Sequence, residues 1–192
     1  GKTTTSTIVT SLLDGCGNKT GFFIGGILPA FQSSYRLNES KYFVLEGDEY
    51  DTAYFDKTPK FLHYLPKYLI INNIEFDHGD IYKDLDEIKL QFQRLVNIIP
   101  QNGLIVANGD DENVNDVLDK SFTRIIKVGF NNENDFILQD KGENFIMEEK
   151  KNGKKYIFES HLPGKHNVYN QALSLVLLIN LGFNCDEMNK VL

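Results

Sequence analysis

The chain has 192 residues, which is enough for one good-sized domain with its own hydrophobic core. Its formal net charge of −7 disfavours a nucleic acid or an anionic membrane as a partner, because both attract basic patches. The sequence contains neither a membrane span nor a signal-peptide pattern, and two cysteines are too few for a disulfide framework. We therefore predict a cytoplasmic protein in which Cys16 and Cys185 are buried apolar residues.

The chain begins with Gly1, Lys2 and Thr3, the second half of the phosphate-loop pattern G-x-x-x-x-G-K-[ST]. In such a loop the lysine bridges the β- and γ-phosphates of a nucleotide, and the threonine hydroxyl ligates Mg²⁺. Gly-Lys-Thr also occurs by chance in ordinary loops. The first half of the loop and its preceding strand would lie before Gly1, so we expect this chain to be a piece of a larger protein. A helix over 3–13 is predicted to follow the loop.

Three apolar runs, at 42–45, 68–71 and 103–107, predict strands that are buried on both faces of a parallel sheet. Polar residues follow the first two runs directly. Because the carboxyl ends of parallel strands meet at one edge of a sheet, both polar clusters are expected at that edge. Glu46 and His78 are then predicted to lie within about 4 to 5 Å of each other as metal ligands.

Each of these two ligands has a plainer explanation. Glu46 opens an acidic run that ends at Asp51, and most acidic runs are solvated loops. A carboxylate that leaves a buried strand beside a phosphate loop can nevertheless hold Mg²⁺, which prefers oxygen ligands. A lone histidine such as His78 is usually structural, but Asp77 and Asp80 flank it, and a carboxylate can orient an imidazole towards a metal.

The rest of the chain predicts helices around a second group of strands. Apolar residues recur at helical spacing over 85–99. Short alternating runs between turns at 122–160 indicate a small antiparallel β appendage. The segment 166–181 is apolar nearly all round and predicts a buried helix. The fold class is therefore α/β, with a P-loop-type, mostly parallel sheet flanked by helices and a small antiparallel β appendage.

The start of the last long helix carries polar residues that fit a nucleoside. His166 and Asn170 are four residues apart, so they lie on one face of the first turn, and Asn167 is between them. An asparagine amide has one acceptor and one donor group that can match a purine edge. These residues can equally be helix caps.

Four blocks along the chain together resemble the central, ATP-binding domain of the Mur ligase family. They are Gly-Lys-Thr-Thr-Thr at 1–5, Glu-Gly-Asp-Glu at 46–49, Asn-Ile-Glu-Phe-Asp-His at 73–78 and Gly-Lys-His-Asn-Val-Tyr-Asn at 164–170. The blocks stand in the family's order and span almost the whole chain. The resemblance implies one central domain over 1–192, with the family's N-terminal UDP-binding domain and its C-terminal domain outside the chain.

The resemblance implies ATP and Mg²⁺ as cofactors. The residues implied at the nucleotide are Gly1, Lys2, Thr3, Thr4, Asn73, His166, Asn167 and Asn170. One Mg²⁺ is implied on Thr3 and Glu46, and a second on Glu46 and His78. The catalytic residues are then Lys2, Glu46 and His78. Gly25, Gly26 and Arg36 are implied near the muramyl substrate.

The activity implied by the resemblance is amide-bond formation in bacterial cell-wall recycling. ATP would phosphorylate the lactyl carboxylate of UDP-N-acetylmuramic acid, and the amine of a peptide or amino acid would displace the phosphate. The string at 46–57 is most similar to the branch that adds L-Ala-γ-D-Glu-meso-diaminopimelate. The branch that adds L-alanine, a ligase for another carboxylate and an inactive nucleotide-binding module remain alternatives. The isolated chain is expected to fold without catalysing the reaction.

One family feature has no clear counterpart in this sequence. Several Mur ligases carry a carbamylated lysine about four helical turns after the metal-binding histidine. Here that neighbourhood holds Phe92 and Gln93, and Lys89 is nearby without being an evident equivalent.

Overall fold

The computed structural model describes residues 1–76, 81–160 and 162–192. It divides the chain into two compact units, one formed by 1–46 with 137–192 and the other by 47–136. No helix in these described ranges is long and apolar enough to cross a membrane.

Five α-helices, one 3-10 helix and eleven strands are present in the described part of the chain. In chain order they are α1 (Lys2–Gly15), β1 (Gly21–Leu28), β2 (Ser33–Arg36), β3 (Phe43–Leu45), β4 (Asp51–Ala53), β5 (Asp56–Pro59), the 3-10 helix (Lys60–His63), β6 (Tyr68–Ile71), α2 (Leu85–Ile98), β7 (Leu104–Asn108), α3 (Glu112–Leu118), β8 (Ile125–Gly129), β9 (Phe136–Asp140), β10 (Asn144–Glu149), β11 (Lys154–Glu159), α4 (Lys165–Asn180) and α5 (Cys185–Asn189).

The strands form three sheets. The first has the order β2-β1-β3, with β1 antiparallel to β2 and parallel to β3. A six-stranded sheet has the order β11-β10-β9-β8-β7-β6, in which β6, β7 and β8 run parallel and β10 and β11 antiparallel. The pair β4–β5 is a separate antiparallel hairpin. The predicted α/β class with parallel strands and a smaller antiparallel part is confirmed.

Two details of the predicted sheets are wrong. The run at 42–45 is not buried on both faces: Phe43 is 46% exposed and Leu45 38%, since β3 is a short strand that pairs with β1 at the edge of the three-stranded sheet. That run therefore belongs to a different sheet from β6 and β7. The first strand of the predicted appendage, β8, pairs parallel with β7. An alternating pattern reports which faces are buried and carries no information on strand direction.

The helices that the sequence predicts are confirmed, with ends shifted by one or two residues. α1 buries Ile8, Val9, Leu12 and Leu13 on one face. α2 begins at the N-cap Asp84, whose carboxylate accepts a hydrogen bond from the Glu87 backbone N–H at 3.0 Å. α4 is buried from Val168 to Leu178 apart from the partly buried Tyr169, as its continuous apolar sequence predicts. Since α1 packs against α4, the first turns of both helices are held within one unit.

Cys16 and Cys185 are free thiols that are only partly buried, so the prediction of buried cysteines holds in part. Burial raises the pKa of each thiol above its ordinary value. The nearby carboxylate of Glu187 raises the pKa of Cys16 further.

Candidate functional site

The N-terminus of α1 presents the residues expected to meet phosphate. Gly1 is the N-cap, and Lys2 and Thr3 open the first turn; all three are exposed. The first turn of α1 contains no acidic residue. An anion at the positive end of the helix dipole is therefore not repelled by a carboxylate of that turn. Thr4 beside them is partly buried.

Thr3, Gly25 and Glu46 are brought together from three separate parts of the sequence. The Thr3 hydroxyl donates to Glu46 Oε1 at 2.9 Å, and the Gly25 backbone N–H donates to Glu46 Oε2 at 2.9 Å. The Glu46 backbone N–H also donates to the Phe23 carbonyl at 3.1 Å, which continues the pairing of β1 with β3. The carboxylate is thus aimed at the start of α1 by its own backbone and by two donors.

A hydroxyl and a carboxylate at this separation are a suitable donor set for Mg²⁺, which takes oxygen ligands and uses few protein groups. Thr3 and Glu46 therefore fit the predicted metal role in chemistry and in position. Outside the segments 77–80 and 161, no group of three or more histidine, cysteine or acidic residues could hold a metal ion. His78, the predicted second ligand, lies outside the described residues, as does its predicted distance from Glu46.

Two further carboxylates of the acidic run have lysine partners. Asp48 forms an ion pair with Lys60 at 2.8 Å, and Asp51 one with Lys57 at 2.8 Å. The hydrogen bond that the Lys60 ammonium donates to Asp48 raises the pKa of Lys60. These contacts organise the β4–β5 hairpin and the 3-10 helix after it.

Gly25 and Gly26, predicted near the substrate, occupy an irregular part of β1. The pairing of β1 with β2 shifts register between Phe23 and Leu28, and both glycines are exposed. Gly26 has φ +96°, a conformation that favours glycine. A side chain at Gly25 would place its Cβ 3.4 Å from Glu46 Oε2. The two glycines therefore allow the irregular pairing of β1 with β2, while the Gly25 N–H donates to the Glu46 carboxylate.

Arg36, the other residue predicted near the substrate, is held by neighbours within its own unit. Its Nε donates to the Thr20 carbonyl at 2.8 Å, and its Nη2 forms an ion pair with Asp14 Oδ1 at 2.6 Å. The guanidinium lies 5.1 Å from the ring centroid of Phe22 and 5.3 Å from that of Phe31. These contacts favour a structural role, in which Arg36 ties the end of α1 to β1 and β2.

The start of α4 carries the residues predicted at the nucleoside. Gly164 is its N-cap with φ +99°, and a Cβ there would lie 2.9 Å from Cε1 of the His166 ring. The absence of a side chain at Gly164 is what lets the exposed His166 ring take this position. Asn167 donates from Nδ2 to the Pro163 carbonyl at 2.8 Å.

Asn170 differs from its neighbours because it is only 3% exposed. Its Oδ1 accepts from the hydroxyl of Thr5 at 3.1 Å, and its Nδ2 donates to Asn167 Oδ1 at 3.3 Å. Thr5 had no assigned role in the sequence. The signal that could have found it is the third threonine of the Gly-Lys-Thr-Thr-Thr run, which falls on the buried face of α1.

Two further candidates are in the second unit. Asn73 follows β6 and is exposed. Lys89 forms an ion pair with Asp116 Oδ2 at 2.7 Å and joins α2 to α3. That ion pair favours a structural role for Lys89.

The phosphate-binding helix start, the adjacent carboxylate and the α/β topology together define a nucleotide-binding α/β domain. A family model described as the Mur ligase middle domain matches residues 1–178. The chain belongs to this family, and the resemblance seen in the sequence is confirmed.

Comparison with known proteins gives similar relatives of two kinds. The chain is 52% identical over 114 residues to a UDP-N-acetylmuramate–L-alanyl-γ-D-glutamyl-meso-2,6-diaminoheptandioate ligase of Escherichia coli, covering 59% of this chain and 25% of that protein. It is 32% identical over 196 residues to a UDP-N-acetylmuramate–L-alanine ligase of Caldanaerobacter subterraneus, covering 97% of this chain and 40% of that protein.

Among solved structures, the murein peptide ligase of Neisseria meningitides superimposes with a TM-score of 0.90 at 35% identity. The match covers 100% of this chain and 62% of that one. The chain therefore spans only part of the length of each of these relatives.

Proposed function

We propose that this chain is the ATP-binding part of a cytoplasmic ligase that joins L-Ala-γ-D-Glu-meso-diaminopimelate to UDP-N-acetylmuramic acid. The observation that carries the proposal is the contact of Glu46 with Thr3 at the start of α1. It places a hydroxyl and a carboxylate together beside Lys2, the arrangement that phosphoryl transfer from Mg-ATP requires. The tripeptide is favoured over L-alanine as the amine because the higher identity, 52% against 32%, is to the tripeptide ligase.

The residues divide the work as follows in this proposal. Lys2 and the first N–H groups of α1 hold the phosphates of ATP and offset charge on the transferred phosphoryl group. Thr3 and Glu46 hold a Mg²⁺ ion, which would supply Lewis-acid stabilisation of the phosphates. The lactyl carboxylate attacks the γ-phosphorus, ADP leaves, and the amine of the tripeptide then displaces phosphate from the acyl phosphate. His78 and Asn73 remain candidates for the metal and the nucleotide.

The test is an assay of the full-length protein with UDP-N-acetylmuramic acid, ATP and Mg²⁺, with the tripeptide and L-alanine offered in parallel. We expect release of ADP and formation of the muramyl tripeptide with the first amine. Turnover with L-alanine alone would assign the protein to the other branch. Absence of an amide product with either amine would contradict both assignments.

A pair of variants tests whether the contact of Glu46 with Thr3 marks a metal site. Glu46→Gln keeps the shape of the side chain and removes its charge, so we expect turnover to fall about 100-fold or more and the Mg²⁺ requirement to rise. Glu39→Gln removes an exposed carboxylate of the same unit and serves as the matched control. Equal activity of the two variants would exclude Glu46 from the metal site.

A further inference from the structure

The chain contains three Asn-Gly pairs, at 102–103, 108–109 and 152–153. In such a pair the backbone nitrogen that follows the asparagine can attack the side-chain amide carbon, because glycine has no Cβ to hinder the approach. The attack also needs an asparagine side chain that is free to turn towards that nitrogen. The three pairs differ in this freedom.

Two of the three asparagine side chains are held by hydrogen bonds. Asn108 Oδ1 accepts from the Asp110 backbone N–H at 3.0 Å. Asn152 Oδ1 accepts from the Lys154 backbone N–H at 2.8 Å, and Asn152 Nδ2 donates to Glu149 Oε2 at 2.8 Å. These bonds must break before either side chain can turn. The loss of one neutral hydrogen bond corresponds to about a three- to tenfold change in an equilibrium constant.

The side chain of Asn102 has no such restraint. Asn102 is exposed, and its side chain makes no hydrogen bond within the described ranges. The attacking nitrogen does not distinguish the three pairs, because the N–H groups of Gly103, Gly109 and Gly153 each donate to a backbone carbonyl, at 2.8, 3.1 and 2.8 Å. The freedom of the asparagine side chain therefore singles out Asn102.

We propose that Asn102 is a site of spontaneous deamidation in the folded protein. The Gly103 backbone nitrogen loses its proton to solvent and bonds to Asn102 Cγ. The bond from Cγ to the side-chain nitrogen breaks, and that nitrogen takes up a proton and leaves as ammonia. The resulting succinimide adds one water molecule at either of its carbonyl groups and opens to aspartate or isoaspartate. The net charge of the chain becomes one unit more negative than its value of −7.

Isoaspartate at this position disturbs the start of β7, because it adds one carbon atom to the backbone before Gly103. Gly103 has no room to shift, since a Cβ there would lie 2.3 Å from the Lys67 carbonyl oxygen. The next residue, Leu104, donates to the same carbonyl at 3.2 Å and pairs with Tyr68 of β6. The isoaspartate form is therefore expected to be less stable than the asparagine form.

The test follows deamidation while the full-length protein is incubated in mildly alkaline buffer. Peptide mass spectrometry measures the loss of each asparagine, and chromatography separates the aspartate and isoaspartate peptides. We expect the Asn102 peptide to deamidate at least about threefold faster than the peptides that contain Asn108 and Asn152. In denaturant the three pairs should react at similar rates, because the hydrogen bonds that hold Asn108 and Asn152 are then absent.

Two variants separate the chemistry from its effect on stability. Asn102→Asp carries the charge of the product without the extra backbone atom, and it should melt like the fresh wild type because the position is exposed. Asn102→Gln should resist modification, since its longer side chain has to close a larger ring, and should keep its melting temperature during incubation. The incubated wild type should melt at a temperature that falls as its isoaspartate content rises.

Equal rates at Asn102 and Asn152 in the folded protein overturn the proposal. A rate difference that persists unchanged in denaturant also overturns it, because the local sequence and not the structure would then select Asn102. An isoaspartate-rich protein that melts like Asn102→Asp contradicts the expected effect on β7.

Discussion

Replacing Arg36 tests whether its guanidinium stabilises the fold or serves the substrate. In Arg36→Ala the ion pair with Asp14 is lost, along with the bonds to the Thr20 carbonyl and the stacking on Phe22 and Phe31. A hydrogen bond to a charged group contributes about 1.5–3 kcal/mol. Each cation–π contact contributes about 0.5–2 kcal/mol, depending on its exposure. The Arg36 and Asp14 side chains are 21% and 22% exposed, so both kinds of contact are only partly screened.

These contributions are not additive, and we expect a net loss of about 3 kcal/mol in the free energy of unfolding. For a domain of this size that corresponds to a fall of about 6–12 °C in the melting temperature. The assay is calorimetric melting of the full-length protein, with urea unfolding as a second measure. Arg36→Lys should recover only part of the loss, since an ammonium group cannot bond Asp14 and Thr20 with the same planar geometry.

Arg94→Ala is the matched control. Arg94 is exposed and makes one bond, at 3.2 Å, to Gln91 on the same helix among its described contacts, so its removal should cost less than about 0.5 kcal/mol. A double-mutant cycle with Asp14→Ala should give a coupling energy of about 1–2 kcal/mol. The reasoning is refuted when Arg36→Ala melts like Arg94→Ala and instead raises the KM for UDP-N-acetylmuramic acid, which would place Arg36 at the substrate.

Three further predictions concern single side chains. Burial raises the pKa of Tyr82 to about 12. Its protonated form therefore contributes stability that is present below about pH 10 and lost as the pH rises towards 12. Tyr82→Phe should reduce the fall in melting temperature between about pH 10 and pH 12. Lys2→Ala should lower turnover about 100-fold or more with little change in melting temperature, and a variant that melts far lower but turns over normally would make Lys2 structural. Gly164→Ala should lower the free energy of unfolding by about 1–2 kcal/mol. The loss should exceed that of Gly142→Ala, because Gly142 also has a positive φ but has open space where a Cβ would lie. Equal losses would show that the contact with His166 adds nothing.

Local signals in the sequence predicted much of the candidate site. The Gly-Lys-Thr start predicts that the N-terminal end of α1 binds phosphate, because a phosphate loop needs those residue types at consecutive positions. The apolar run before Glu46 predicted that this carboxylate leaves a strand, and β3 ends at Leu45. Helical periodicity predicted α2 and continuous apolarity predicted α4, each within two residues, since both signals depend only on neighbours along the chain.

The contacts that organise the site were decided by the tertiary structure. Thr3 and Glu46 are 43 residues apart, Arg36 and Asp14 22, and Thr5 and Asn170 165. No periodic pattern reports which distant residues meet, so these contacts could not be predicted from the sequence. The roles of Arg36 at the substrate and of Asn170 at the nucleoside stay predictions.

The direction of β8 was also not predicted by the sequence. β8 reads as the start of an antiparallel meander, yet it pairs parallel with β7. Residue type and spacing therefore determined which polar groups the candidate site contains. The packing of α1 against α4 and of β1 against β3 decided which of those groups are held in the core and which face the solvent, because burial depends on partners that are distant in the sequence.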